Sequence, residues 1–455
     1  MTDSLDLAPL PIASALRVAR RVLAGSVLAL LGVSSLHAQA VRAPAVVRAP
    51  NGVAPDRLAR IDRFLQQYVD SGRVAGAVAL VLRDGQPFYQ KSVGWLDRES
   101  KRPMTQDAMF RIASQSKAIT STAILMLVEE GKIALTDTVS RFIPAFAHTT
   151  VASRADSGRT VVPATRQITI KDLLTHTAGI SYGTDPFVRR QYEAKGLGPA
   201  AGFGWYFADK TEPICTTIER LASLPFVSQP GEAYVYGYNT DILGCIVERA
   251  SGIPLDEFIR TRITEPLGMH DTYFFVPAAK RARLVTLYAN DSTGRVVRAP
   301  EGARGQGHYV EGPRQSFSGG AGIVSTARDY ARFLQMILNR GELDGVRILS
   351  PLMVDVMTSN QISVYTKPGA GFGLGFEVVE KLGADALAPV GSFGWGGAYG
   401  SNYQVDPADR LVLVFMINQL PLRTDIASKF HTLVYQSLVD VAPRANWVSR
   451  AAAPR

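Results

Sequence analysis

The sequence predicts an α/β fold in which one sheet is completed by both ends of the chain and a mainly helical stretch is inserted between them. Three observations point there. Strand-like segments lie early, at 75–82 and 87–93, and late, at 371–380, 400–405 and 410–417, the last strongly apolar and rich in β-branched residues. Residues 134–309 are instead dominated by short helical segments and loops. Helical patterns at 56–71 and 426–439 bracket the whole. A cleft is expected where the sheet and the helical part meet.

A chain of 455 residues can bury a large core and form more than one structural unit. Its 40 Gly and 26 Pro are dispersed, so they mark defined turns rather than a disordered tract. Residues 1–40 read as a secretory signal peptide. Arg17, Arg20 and Arg21 precede an apolar run from Val22 to Leu36, and Ala38-Gln39-Ala40 supplies a small-x-small cleavage pattern. That run is short for a membrane span, so no stable span is expected after cleavage, and the expected location is periplasmic or extracellular. Residues 41–55 read as a linker. Segments 56–133 and 310–441 are expected to form a discontinuous sheet domain, 134–309 a helical domain, and 442–455 a tail. The net charge of +9 is spread without a dense Lys/Arg run, which argues against a nucleic-acid partner. The two cysteines, Cys215 and Cys245, could be joined in an exported protein or remain as buried thiols. No Cys/His spacing suggests zinc, and no metal or organic cofactor is expected.

In order along the chain, helix 56–71 places Leu58, Ile61, Phe64, Leu65 and Val69 on one face, with Asp56 as its expected cap. Arg83-Asp84-Gly85-Gln86 between the first two strand segments is a hairpin signal. A helix then runs over 118–131 and ends on Gly131, a residue suited to a C-cap. The Ser/Thr/Arg-rich stretch 148–166 reads as an exposed insertion. Helical segments follow at 170–175, 214–221, 241–250 and 254–263. A strand at 320–325 leads into a helix at 326–341.

The chemistry is carried by Ser114-Gln115-Ser116-Lys117, the only Ser-x-x-Lys in the chain, at the start of an apolar helix. Residues three apart on a helix share a face. The helix N-terminus adds positive potential near the serine oxygen. A neutral Lys there can take the hydroxyl proton and activate the nucleophile. Two further segments stand out. Pro230-Gly231 opens a Tyr-rich loop that carries Tyr234, Tyr236 and Tyr238 and then enters a helix. Gly394-Trp395-Gly396-Gly397-Ala398 is a Gly-rich strand edge that a substrate could approach closely.

Together, Ser-x-x-Lys, a Tyr-bearing loop after Pro-Gly and a late Gly-rich strand edge resemble the three motifs of the serine β-lactamase and penicillin-binding-protein superfamily. The chain is also similar to it at 173–179, 319–327 and 371–376, and the resemblance extends over about 56–439. Trp395-Gly396-Gly397 is most similar to the motif of the carboxylesterases built on the class C β-lactamase fold. The resemblance implies an antiparallel sheet flanked by the N- and C-terminal helices, with an inserted mainly helical domain. It implies that Ser114 is the nucleophile and that Lys117 and Tyr236 share the role of base. It implies an oxyanion hole from the amides of Ser114 and Ala398, bordered by Trp395, Gly396 and Gly397. Aligned on Pro230-Gly231, the family's usual Asn falls on Tyr238, with Asn239 one place late. Tyr288-Ala289-Asn290 also matches Tyr-x-Asn, but its flanks read as a strand entering a turn. The usual Lys-Thr-Gly is absent, and Lys367-Pro368-Gly369 cannot replace it because Pro donates no ladder hydrogen bond. His176, which a Ser-His-Asp enzyme would use, reads as part of a structural turn. The expected function is an exported serine hydrolase, a carboxylesterase acting on small acyl esters. The alternatives are a β-lactamase or D-Ala-D-Ala peptidase on the same fold, acting on an amide, and a non-catalytic binding protein of that fold.

Overall fold

The structure, a computed structural model, describes residues 52–155, 158–198, 210–303 and 305–443. The expected signal peptide, most of the linker and most of the tail lie outside the described residues. The described residues fall in one compact unit, Val47–Arg455.

Eight strands form one antiparallel sheet: β1 (Gly76–Arg83), β2 (Gln86–Asp97), β3 (Arg102–Pro103), β4 (Ala370–Phe372), β5 (Glu377–Val379), β6 (Phe393–Gly396), β7 (Gly400–Asp406) and β8 (Leu411–Asn418). Their order is β4-β5-β6-β7-β8-β1-β2-β3, so β8 and β1 pair near the middle and join the two ends of the chain. The hairpin signal is realised: Asp84 and Gly85, at φ 51° and 76°, form a two-residue turn between β1 and β2. The late strand expected at 371–380 is a short hairpin, β4 and β5, broken by the turn at Gly373–Gly375. The strand expected at 320–325 is reduced to Val324–Ser325, because Gly319–Gly322 turn beneath the site described below.

Alternation along β8 separates two cores. Leu411, Leu413, Phe415 and Ile417 pack with helices α1 (Pro55–Asp70) and α5 (Ile426–Ser437). Val412, Val414 and Met416 face the larger core, which holds helices α2 (Ser116–Glu129), α3 (Asn239–Ser251) and α4 (Ala327–Leu338). Helix α2 is buried on every side from Ser116 to Leu127, which is why its sequence is apolar all round. It ends at Gly131, φ 72°, as the sequence predicts. Helix α1 differs from expectation. It starts at Pro55 with no side-chain cap, so Asp56 lies in the first turn, because the ring of Pro55 presets the helical φ at N1.

The stretch read as an exposed insertion contains a β-hairpin, Thr150–Ala155 with Gly158–Pro163. Val151 pairs with Val162 across it, and the amide of Ala152 donates to the Phe226 carbonyl. Tyr288–Asn290 is a short strand entering the turn at Asp291, as its flanks predict. Cys215, on the helix Ile214–Leu221, is disulfide-bonded to Cys245 on α3. No helix among the described residues is long and apolar enough to cross a membrane.

Candidate active site

Ser114 sits in the single 3-10 turn Ala113–Gln115 that leads into α2. Ala113 is held at φ 46°, a conformation uncommon for a residue with a Cβ, immediately before the serine. The turn is pinned from outside: Ile112 N donates to Ile323 O at 3.0 Å, Ile323 N to Ser116 Oγ at 3.1 Å and the Tyr330 hydroxyl to Gln115 O at 2.9 Å. One helical turn on, Lys117 Nζ lies 3.2 Å from Ser114 Oγ.

Lys117 is 2% exposed, and its other partners are Tyr182 Oη at 2.9 Å and Gly320 O at 2.7 Å. The sequence reading assigned a part to neither. Gly320 carries its role in a carbonyl, and a backbone atom leaves no mark of its own in a sequence. The amide of Gly320 donates to Asp241 Oδ1 at 3.1 Å, and Ser318 Oγ donates to the same oxygen at 2.5 Å. A Cβ on Gly320 would lie 2.5 Å from Asp241 Oδ2. Asp241 is fully buried; burial pushes its carboxyl above the usual range, while Lys117, Ser318 and the Gly320 amide pull the other way.

Tyr236 reaches the same place from the Pro230-Gly231 loop. That loop runs along the turn after helix Ile170–Leu174: Gly231 N donates to Thr177 O and Val235 N to His176 O, both at 2.7 Å. The helix is fixed by a capping box of Thr169 and Asp172, with Arg166 bidentate on Asp172 at 2.6 and 2.8 Å. Gly237 lets the two segments touch, since a Cβ there would be 2.1 Å from Ile180 O. This contact brings Tyr182 and Tyr236 together, their rings 5.7 Å apart. Lys117 Nζ is 4.7 Å from the centre of the Tyr236 ring.

The Tyr236 hydroxyl accepts a 3.0 Å hydrogen bond from Trp395 Nε1. Trp395 is therefore more than an apolar wall, because it also orients the phenol. Beyond it, Gly397 is close against the segment entering the nucleophile turn: a Cβ there would be 2.4 Å from Ile112 O. Gly397 N donates to Ser401 O, which fixes the strand end beside Ser114. Ser114, Tyr236, Trp395, Gly396, Gly397 and Ala398 all line one cavity of about 610 Å³. The structure thus gathers Ser114, Lys117, Tyr236 and the Trp395–Ala398 strand end, and adds Tyr182.

His176 and Asn239 belong to the frame. His176, at φ 56° and 1% exposed, packs 4.7 Å from the Tyr236 ring. Burial, and secondly the charge of Lys117, push its pKa well below the usual value, so the ring is neutral. Asn239 Nδ2 meets His176 Nδ1 at 2.9 Å and the carbonyls of Ile180 and Val235, so Nδ1 is the acceptor. Asn239 has no exposed surface. The displaced Asn is part of the scaffold beneath Tyr236 and faces no substrate.

A hydroxyl, an amine and two phenols in this arrangement can pass a proton from a nucleophile towards a leaving group. A family model described as Beta-lactamase matches residues 61–434.

The chain belongs to the beta-lactamase family.

Esterase EstB of Burkholderia gladioli is 33% identical over 377 residues, covering 79% of this chain and 90% of that protein. A putative D-alanyl-D-alanine carboxypeptidase of Salmonella typhimurium is 29% identical, covering 85% of this chain and 88% of its own. Among solved structures, EstCE1, a hydrolase with promiscuous acyltransferase activity, superposes with a TM-score of 0.70 at 26% identity, covering 85% of this chain and 99% of its own. Members of the beta-lactamase family are typically serine hydrolases, and the relatives of this chain include proteins named as an esterase and as a putative carboxypeptidase.

Proposed function

We propose that this protein is an exported serine carboxylesterase that cleaves small acyl esters through an acyl-enzyme. Ser114 Oγ attacks the ester carbonyl, and its proton passes to the Lys117–Tyr182–Tyr236 group. The amides of Ser114 and Ala398 receive the oxyanion, a contribution of roughly 3 kcal/mol per donor. The proton returns to the leaving alcohol, and water then attacks the acyl-enzyme and restores Ser114.

The observation that carries the ester reading is the Trp395 Nε1 to Tyr236 Oη bond. The strand position that would hold a lactam carboxylate with a Lys is occupied by an uncharged indole already committed to the phenol. The buried Asn239 supports the same direction, since no side-chain amide is offered from that position to a peptide-like substrate. The leader-like residues 1–40 and the Cys215–Cys245 bond support export to an oxidising compartment.

The test compares turnover of a short-chain p-nitrophenyl ester with that of a chromogenic cephalosporin, in the wild type and in Ser114→Ala. Ester turnover that is lost in Ser114→Ala, together with fluorophosphonate labelling of Ser114, is the expected result. Efficient cephalosporin hydrolysis without ester activity would overturn it. For export, the amino terminus of protein recovered outside the cytoplasm is expected near Val41.

A further inference from the structure

The cavity at Ser114 does not end at the strand carrying Trp395. Strand β5 pairs with β6 only at Glu377–Gly394 and Val378–Phe393, so Trp395 and Gly396 have no partner on that side of the register. Side chains alternate along the strands. Trp395 faces the larger core. Gly394 and Gly396 face α5 instead, as do Gln404 and Asn402, their register partners on β7, which in turn sit opposite Leu413 and Phe415. Two positions of β6 thus withhold side chains on the α5 face. The cavity uses that space: its lining continues from Ala398 round the strand to Asn402, Gln404, Asp385, Thr424 and His431.

This end of the cavity is polar and acidic. Glu377, Asp385 and Asp425 all line it. Glu377 is neutralised by Lys367 and takes a hydrogen bond from Tyr365. Asp425 is paired with Lys429 at 2.6 Å and accepts from Tyr68. Asp385 is different: its Oδ2 accepts 2.8 Å from the neutral amide of Gln404, and no described Lys or Arg pairs with it. Next to it His431 is 8% exposed, and its Nε2 has no hydrogen-bond partner. Asn402 Oδ1 and Thr424 Oγ1 are also buried without a partner. Buried polar atoms left unpaired cost about 1–3 kcal/mol each, and all three of these belong to residues that line this end of the cavity. No group of three or more His, Cys, Asp and Glu among the described residues is arranged to hold a metal ion.

We propose that this recess binds the protonated primary amine of an aliphatic substrate or ligand, held by Asp385 with acceptors from Asn402, Thr424 and His431. A primary ammonium presents one positive charge and three donors: the charge and one donor suit the carboxylate of Asp385, and the other two donors can serve two of the three unpaired polar atoms. The recess deepens the ester reading: it makes the substrate class acyl esters with a remote amine, and to that extent it rests on the reading given above.

The experiment has two arms so that the two claims can fail separately. The first compares kcat/KM for p-nitrophenyl esters of ω-amino acids of increasing chain length with esters of the matching uncharged fatty acids. One chain length is expected to show a preference of about tenfold for the amine, screened by salt. Asp385→Asn should remove that preference and leave the rate on the uncharged ester unchanged. The second arm measures binding of hexylammonium and of 1-hexanol to wild type and Asp385→Asn by calorimetry, with no ester present. Binding of hexylammonium that weakens about tenfold in Asp385→Asn, with no such change for hexanol, supports the recess even if no ester is hydrolysed. Ester turnover with no amine preference at any length, or amine binding unaffected by Asp385→Asn, overturns it.

Discussion

At the scale of single residues, the bond between Trp395 Nε1 and Tyr236 Oη joins two motif positions that lie 159 residues apart. A neutral hydrogen bond of this kind contributes about 1 kcal/mol net. Trp395→Phe keeps an aromatic but smaller ring and removes the donor, so kcat on a short-chain ester should fall about five- to tenfold. Tyr236→Phe should be much more damaging, and the double variant should lose little beyond Tyr236→Phe alone. Additive losses in that double-mutant cycle would show that the indole acts by shape only. A second prediction concerns His431. Burial pushes its pKa down to about 4, against an ordinary value of 6.5. As pH falls below about 6.5 the unfolded chain takes up a proton that the folded protein refuses, so stability drops progressively until about pH 4. Urea midpoints should therefore fall between pH 7.5 and pH 5, and His431→Gln should lose less over the same interval. His176, also held neutral by burial, adds a drop of the same sign.

At the scale of elements, the candidate site is set by close backbone contacts between segments that are distant in sequence. The Gly319–Gly322 turn presents the Gly320 carbonyl to Lys117, and Asp241 on α3 holds that turn from below. Gly320→Ala would press a methyl group to 2.5 Å from Asp241 Oδ2. The cost of such overpacking is about 1–3 kcal/mol of stability, and the displaced carbonyl would release Lys117. A loss of activity larger than the loss of stability is expected, read as kcat on a neutral ester against the urea midpoint. An Ala variant that is destabilised but fully active would show that Lys117 does not depend on this carbonyl. The contact of Gly237 with Ile180 does the equivalent for the two phenols, and it explains why the short run from Tyr234 to Tyr238 contributes one ring to the cleft and another, Tyr238, to the core.

At the scale of the whole molecule, the sheet is joined in its middle by β1 and β8, so an early and a late segment of the chain share one sheet. The Cys215–Cys245 bond ties the helix Ile214–Leu221 to α3, closing a loop with a sequence separation of 30. A loop of that size contributes roughly 3–4 kcal/mol by restricting the unfolded chain. The double variant Cys215→Ser, Cys245→Ser should therefore lower the denaturant midpoint by a corresponding amount. Because α3 carries Asn239 and Asp241, ester turnover should decline at lower temperature than in the oxidised protein. An unchanged midpoint would mean that the bond adds nothing to the fold.

Ser114-x-x-Lys117, the Tyr236 loop and Trp395-Gly396-Gly397 were legible because side-chain chemistry at short fixed spacing survives as a pattern in one dimension. The two-residue turn at Asp84-Gly85 and the end of α2 at Gly131 were legible for a similar reason, since local backbone geometry restricts the residue locally. Tyr182 was not, because nothing in its neighbourhood distinguishes it from a core tyrosine until Gly237 brings it against Tyr236. The hairpin at 150–163 was missed because its polar composition masks a pairing stabilised partly by Phe226 far along the chain. Asn239 and His176 could be read either as site or as frame, and their burial together with the bonds of Asn239 to His176, Ile180 and Val235 makes them frame. The sequence by itself determined which groups could do chemistry. The tertiary structure decided which of them meet, since distance in space is set by long-range packing and by glycines that let backbones touch.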